Sequence, residues 1–481
     1  MRFNVELSCR GFRAVFCAAL ALVAAAAGAE DDIAALLAGR IEADSELKIR
    51  AIELRQAELS RDRTTLSTGF NVKLNTGTLL FRFDGDGAFE AEPSVSLELP
   101  AANGAELTVS APLRAVGAGG LTTSDTAFTL SMDVTGNTRR KRAVELLEAG
   151  RAVTEAGRAL QKRALQAEKE FYQALRGLYE EEAALYEKKE TRWTEELEFA
   201  KVRAQGYDEA SAAYRTALME LAKAEREALE AERLLRRNIA VFARDCGRDG
   251  LASLPGSVPA PEVDGLLSLA SFDRSRYTEL ESAEWRRYIN TLSREADGEL
   301  GVRVEGGATL DNTAFQRGDG EGTHSVNAGL SLSWRGIALS GGLEFPLGAG
   351  AEAGGPALRL SLGIEGEALA LAPIKKKEDA LAAQKELIDI GNSGRDWDDL
   401  LARTDSSRSD LLWQKNERAM QFELYSELEA DMRTWFDQGI IPESEYRRAE
   451  ANKENARYNC LITDTDMILY QIDVSLYVIA E

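Results

Sequence analysis

Between Asn137 and Gly206 apolar residues return at three- and four-residue steps with no proline, a pattern that predicts one helix of about 70 residues, on the order of 100 Å long. Its packing face includes Ala143, Leu146, Gly150, Val153, Ala156, Leu160, Ala164, Phe171, Leu175 and Leu178. Ala and Gly recur along this face, so neighbouring helices can approach closely. A rod of this length belongs to a coiled coil or crosses a compartment, and whatever packs along it must be equally long.

The rest of the chain divides by period. Asp31 to Arg63 reads as helix, with Ile33, Leu36, Leu37 and Ile41 on one side, and then the apolar period changes to two. Strands are expected over Leu66 to Phe83, Glu90 to Leu99, Ala105 to Leu113 and Thr126 to Val134. Gly206 breaks the long helix, and Tyr207 to Arg244 reads as its return. The Gly- and Pro-rich stretch Asp245 to Asp264 reads as an irregular linker.

After the linker the same order begins again. Gly265 to Asp297 reads as helix, and Glu299 to Leu310, Ser325 to Trp334, Ile337 to Phe345 and Ala357 to Ile364 as strands. Pro373 to Gln438 is a long helical stretch, interrupted at Gly391-Asn392-Ser393-Gly394; Gly439 breaks it, and Ile440 to Ile479 returns. The chain is therefore two tandem repeats of a helix, strands and a long helical hairpin. Repeat one is residues 30–244, with strands in 66–135 and the hairpin in 137–244; after the linker at 245–264, repeat two is residues 265–481, with strands in 298–365 and the hairpin in 373–479. The return helix of repeat one and the next short helix together equal a long helix, as do the last helix and the first, so each long helix is expected to be matched by two shorter ones end to end.

Strand tips are rich in Gly, Asp and Thr at 85–87, 117–125, 311–323 and 348–355 and read as loops. Alternations such as Leu330/Leu332/Trp334 and Leu358/Leu360/Leu362 fit a barrel wall between lipid and water, and equally a soluble sandwich. Two basic runs follow the last strand of each repeat: Arg139, Arg140, Lys141 and Arg142, and Lys375, Lys376 and Lys377. Placed at a helix start they oppose the helix dipole, so an anion is expected beside them, and lipid phosphates at a membrane rim would serve.

Composition narrows the function classes. The chain has 481 residues and a formal net charge of −22, which makes nucleic acid an improbable partner. Residues 1–29 read as a secretory signal, with Arg2, Arg10 and Arg13 ahead of an apolar run that closes on Ala27-Gly28-Ala29. No later segment approaches a membrane helix, so any crossing must be made by strands. The single histidine, His324, falls in a Gly-rich loop, and no catalytic, metal or phosphate-loop pattern is present, so neither an enzyme nor a cofactor or metal site is expected. Cys246 and Cys460 remain after the signal and lie too far apart along the helices for an internal disulfide.

The run Gln438-Gly439-Ile440-Ile441-Pro442-Glu443-Ser444-Glu445-Tyr446-Arg447-Arg448-Ala449, followed by Asn455-Ala456-Arg457-Tyr458-Asn459, resembles the TolC-like outer-membrane efflux proteins (outer membrane factors). So does the element order of nearly the whole mature chain. In repeat one Gln205-Gly206 with Ala217, Ala224, Ala228 and Ala231 matches more loosely. The resemblance implies an α+β membrane protein: a homotrimer whose outer-membrane β-barrel continues as a periplasmic α-helical barrel. Its implied role is the channel-tunnel of a tripartite efflux or type I secretion system, working with a periplasmic adaptor and an inner-membrane pump. In that arrangement Gln205, Gly206, Gln438 and Gly439 would be the adaptor-docking tips; Asp431, Asp437, Glu443 and Glu445 lie near the second tip and would form entrance carboxylate rings if they face the lumen, Glu445 foremost because it falls where the family often carries an entrance aspartate. Four strands are read in each repeat, twice the family's usual share, so either the barrel is wider or some segments form a hairpin outside the wall. The rival reading is a periplasmic rod or envelope tether with a soluble β domain and no transport role.

Overall fold

The structure is a computed structural model and describes residues 30–69, 71–76, 80–82, 88–99, 104–116, 121–123, 125–298, 300–311, 324–334, 337–347 and 355–479. The stretch 1–29, expected as a secretory signal, and residues 85–87, 117–120, 312–323 and 348–354, expected as loop tips, lie outside them. Its elements are α1 (Glu30–Ala43), α2 (Ser45–Thr68), β1 (Asn71–Asn75), β2 (Leu80–Arg82), β3 (Ala88–Ala91), β4 (Ser94–Leu99), β5 (Ala105–Ser110), β6 (Leu113–Val116), β7 (Leu121–Thr123) and β8 (Asp125–Asp133). Then come α3 (Asn137–Ala204), α4 (Ala212–Asp245), α5 (Thr278–Gly298), β9 (Gly301–Asp311), β10 (His324–Trp334), β11 (Ile337–Leu347), β12 (Ala357–Ile364), α6 (Gly366–Asp437) and α7 (Glu443–Tyr477). They form two compact units, each drawing on both repeats.

The helical unit comprises residues up to Ile52, Arg158–Thr278 and the chain from Gly394 on. Its contacts run α4–α3–α7–α6. On one side of α3, Phe171 meets Phe242 of α4 with ring centroids 5.5 Å apart, and Lys188 pairs with Glu227 at 2.8 Å. On its other side Lys169 pairs with Asp473 of α7 at 2.5 Å, and Tyr186 stacks on Tyr458 at 5.8 Å. Helix α7 is joined to α6 through Lys415–Asp464 and through the Tyr470 hydroxyl, which donates to the Thr404 carbonyl. The core of this unit gathers Ile33 and Leu36 of α1 with Phe171, Leu175, Tyr179, Phe242, Ile468 and Ile472.

Several expectations are corrected here. The first helix is two, because Asp44 accepts from the backbone N–H of Glu46 (2.7 Å) and Leu47 (3.0 Å) and so starts α2 as a new helix. Leu66 to Thr68, expected in a strand, belongs to α2. Gly265 to Asp297 is helical only from Thr278, and three short 3-10 turns precede it. The linker is irregular, as expected, and it is packed: Cys246 and Leu254 are buried, and Tyr179 donates its hydroxyl to Pro255 O at 3.0 Å. End-to-end matching also differs. The end of α4 lies against α1, through Arg40–Asp245 at 3.2 Å, and the end of α7 meets the start of α5, where Ile479 N–H donates to Arg276 O at 2.9 Å. Each return helix thus meets the leading helix of its own repeat.

Helix α6 begins at Gly366 and runs unbroken through Pro373 and Gly391–Gly394. A glycine costs a helix only about 1 kcal/mol, which packing overrides. Here Trp397 is buried with its ring 5.4 Å from that of Tyr277, and Gly394 leaves the space into which the Arg274 guanidinium reaches.

Asp44 also holds Arg163 of α3 at 2.6 Å. Burial alone would raise its pKa, but the hydrogen bonds from Leu47 and Arg163 outweigh burial and leave it below the ordinary 3.8. The sign follows: the stabilisation is complete above pH 3.8 and is lost as pH falls through the depressed pKa. Replacing Asp44 by Ala is expected to cost about 1–2 kcal/mol at neutral pH, and the urea midpoints of the two proteins should converge in strong acid.

The sheet-bearing unit comprises Glu53–Gly157 and Glu279–Ser393. Its main sheet has eight strands in the order β1-β4-β5-β8-β9-β10-β11-β12, all neighbours antiparallel. Repeat one joins repeat two at β8–β9. A smaller sheet, β2-β3-β6-β7, takes the outer parts of the repeat-one strands. The handover falls at Pro93 and Pro112, which have no N–H for the ladder, and Ala111 N–H bonds Pro93 O at 3.1 Å. In the single chain the main sheet is open, with β1 and β12 as its edges. His324 opens β10 instead of lying in a loop, and residues 121–123, also expected in a loop, form β7.

Candidate functional site

Three regions carry candidate function, and the sheet is the most informative. Its registers place Val72, Leu97, Leu107, Leu130, Gly306, Ala328, Leu343 and Leu358 in one row across all eight strands. A second row on the same face is Leu74, Val95, Val109, Phe128, Ala308, Val326 and Phe345. One residue along, on the other face, the row is Lys73, Ser96, Thr108, Thr129, Gly307, Asn327, Glu344 and Ala357. One face is therefore apolar throughout, the other polar or small.

The apolar face is uncovered: Leu330, Leu343, Leu358 and Leu360 are all more than 40% exposed. A soluble sheet buries such a face, since exposed apolar patches of this extent mark contact with lipid or protein. On the polar face the charges pair across strands, Lys73 with Glu98 at 2.6 Å and Arg359 with Glu344 at 3.2 Å, while Arg303 bonds Ser131 and Glu106. At about 3.3 Å per residue and a tilt of roughly 40°, an 11-residue strand such as β10 spans about 28 Å, close to the apolar band of an outer-membrane barrel.

At the exit of β8 the basic run Arg139–Arg142 does stand in the first turns of α3, as expected. Its compensation is partly internal. Asp133 accepts from Thr138 N–H at 2.9 Å, Lys141 pairs with Asp297 at 3.0 Å, and Arg142 pairs with Glu145 at 2.8 Å. Asp297 also lies 4.0 Å from Lys375. The expectation for Lys375, Lys376 and Lys377 is corrected: they lie inside α6, beyond Pro373, because the helix starts at Gly366 and proline is not its first residue. Sequence reasoning missed Asp133, although an Asp shortly before a Gly-to-helix junction is an N-terminal signal.

The hairpin tips share one geometry. Gly206 and Gly439 have φ of +76° and +73°, the left-handed conformation that ends a helix. Behind Gly439, Ile440 N–H donates to Trp435 O at 2.9 Å; Ser211 caps α4 by accepting from Tyr214 N–H at 3.2 Å. Gln205, Gly206, Gln438 and Gly439 are all exposed. Each hairpin is clamped just below its tip by an aromatic pair that the sequence reading did not single out, Phe199–Tyr214 at 5.2 Å and Phe436–Tyr446, stacked at 5.3 Å. Beside the second pair, buried Glu429 accepts from Lys453 at 3.0 Å.

The entrance carboxylates are not brought together as one cluster. Asp431, Asp437 and Glu443 are exposed, Glu445 is half-buried, and Glu443 lies 3.5 Å from Arg447. Among the described residues no group of three or more His, Cys, Asp or Glu side chains could hold a metal ion. Cys246 is buried, which pushes its thiol pKa up to about 11, and Cys460 is half-buried; both are free thiols. Among the described residues no helix is long and apolar enough to cross a membrane.

No curated protein matches the sequence. The solved structures similar to it include CusC, from a study of conformational changes accompanying folding and transmembrane channel formation, at 11% identity and TM-score 0.46, covering 94% of this chain and 92% of that one. The open state of the MtrE outer membrane channel of Neisseria gonorrhoeae is 13% identical at TM-score 0.46, covering 92% and 88%. The outer membrane protein VceC of Vibrio cholerae is 14% identical at TM-score 0.43, covering 93% and 95%. Two family models match in succession, the TP096X N-terminal domain over residues 36–267 and the TP096X C-terminal domain over residues 262–480. With both domains present in order, the chain belongs to the TP096X family.

Proposed function

We propose that this protein is the outer-membrane channel-tunnel of a tripartite efflux or type I secretion system. As a homotrimer in the cell outer membrane with a periplasmic extension, it passively conducts substrates from an adaptor and inner-membrane pump to the exterior. The observation that carries this reading is the eight-stranded sheet with one continuous, uncovered apolar face and a small, polar, ion-paired opposite face. Lipid against the first and water against the second satisfy both, as in a barrel wall.

The helical unit supports a ring of copies independently. Its outermost helices, α4 and α6, leave large apolar residues uncovered: Met219 is 71% exposed, Trp413 65%, Met420 63% and Leu424 67%. Spacings of seven and four put the last three on one face of α6. In this reading Gln205, Gly206, Gln438 and Gly439 meet the adaptor, Arg139 and Arg140 face lipid phosphates at the rim, and Asp431, Asp437, Glu443 and Glu445 favour cations at the entrance. The pump supplies energy and selects cargo, so the channel needs no catalytic group.

Reconstitution of the purified protein tests the reading. The expected result is detergent-dependent extraction, heat-modifiable migration on gels and stepwise conductance in planar bilayers. A chain that stays dispersed without detergent and never conducts is the tether, and the channel is ruled out.

A further inference from the structure

Where the repeat-two strands meet the helices, the sheet-bearing unit holds a cavity of about 580 Å³, in the size range of small-molecule sites. The strands end there: β10 closes on Trp334 and β12 on Ile364, while β11 opens on Ile337. The register pairs Trp334 with Ile337 and Ile337 with Ile364, so these three form one row across the strands. That row lies two residues on from Leu332, Leu339 and Leu362, which makes it the last row of the apolar face. All three line the cavity, and Trp334 and Ile364 are 46% and 60% exposed. Gly301, Ala338 and Gly363, also in its lining, present too little side chain to fill it.

Charged groups complete the site. Lys141 of α3 pairs with Asp297 of α5 at 3.0 Å, and Lys375 of α6 lies 4.0 Å from the same carboxylate. Glu365, next after the end of β12, lines the cavity with Lys141 and Asp297. Asp297 neutralises one of its two lysines, which leaves an ammonium for an anion, while Glu365 offers a carboxylate to a cation. Lys141, Lys375 and Asp297 are all more than 40% exposed, so their pairing is weak and open to exchange. With two charges of each sign, the set is left unbalanced by a ligand of one sign and kept neutral by a zwitterion.

We propose that this cavity holds the headgroup of one zwitterionic phospholipid per chain. The phosphate sits on Lys141 and Lys375 and the cationic nitrogen on Asp297 and Glu365, with Trp334, Ile337 and Ile364 against the start of the acyl chains. The inference rests on the membrane reading above and names the lipid class recognised at that depth. In that reading the last apolar row marks the edge of the hydrocarbon, where headgroups lie and where tryptophan is favoured. Arg139 and Arg140 ask only for phosphate, whereas this cavity also selects on the nitrogen.

Native mass spectrometry of the full chain tests it. The protein is extracted from membranes in a maltoside detergent and given equal amounts of dioleoyl-phosphatidylethanolamine and dioleoyl-phosphatidylglycerol. The expected result is one phosphatidylethanolamine retained per chain in preference to phosphatidylglycerol. Glu365→Gln and Asp297→Asn remove the partners of the amine and are expected to move the preference about fivefold toward phosphatidylglycerol, the worth of one exposed charge pair. Lys141→Ala is expected to lose both lipids. Equal retention of the two lipids by the unmodified chain, a preference for phosphatidylglycerol, or retention that no variant changes overturns the inference, and heat-modifiable protein in those samples leaves the channel standing. Release of the lipid by an excess of inorganic phosphate overturns it in favour of a simple phosphate site. Where a variant fails to fold, seen as lost heat modification, the unmodified chain and Glu365→Gln, exposed at the end of its strand, decide the matter. Protein that is never membrane-bound overturns both this inference and the channel.

Discussion

Leu330→Arg is expected to abolish stable membrane insertion, whereas Ser331→Arg, one residue along the same strand, leaves it intact. Leu330 stands mid-strand in β10, between Val304 and Gly341 on the apolar face, and is 45% exposed. In a soluble sheet, a charge at a position this open would cost little. Facing lipid near the midplane, an arginine costs about 2–4 kcal/mol. Ser331 pairs with Arg303 and Ser340 on the polar face, where a charged side chain meets water. The heat-modifiable fraction after folding into vesicles reads out both variants. Equal tolerance of the two, or damage from Ser331→Arg alone, would show that the apolar face does not meet lipid.

A second large effect is expected at Gly39, where Ala should lower stability although Ala is the better helix former. In an open helix the exchange stabilises by roughly 0.5–1 kcal/mol. At Gly39 of α1, however, the added Cβ would lie 2.2 Å from the carbonyl oxygen of Cys246, just past the end of α4. That oxygen is backbone, held by the turn in which Gly247 takes φ of +72°, so the helices must separate. The net expectation is a loss of about 1–3 kcal/mol, the range for overpacking a close contact. Gly391→Ala is the control. It sits inside α6 with nothing within 4 Å of its added Cβ, and it should raise the urea midpoint of the helical signal. If both variants are stabilised, α1 and the end of α4 do not approach as closely as described.

Much of the fold is legible in the local pattern because period and punctuation are backbone properties. The change from helical period to alternation finds the strand regions of both repeats, and Gly206 and Gly439 end the long helices where only a residue tolerant of positive φ fits. Weaker punctuation misleads. Pro373 and Gly391–Gly394 look like a start and a break, yet α6 runs through both; at Gly391–Gly394 the helical cost of a glycine is small beside the packing of Trp397 and Arg274. Asp44, a single cap, divides a helix that its apolar stripe presents as one.

The sequence by itself determined that the chain is two repeats of long helical hairpins and alternating strands, and which residues of each strand share a face. Only the tertiary structure decided that the repeats merge through β8 and β9, that Pro93 and Pro112 pass the outer strand segments to a second sheet, and that each return helix meets its own repeat's leading helix. The physical reason is range. Face and period follow from side chains a few residues apart, whereas pairing joins residues such as Phe128 and Ala308, whose meeting depends on what every intervening element leaves exposed.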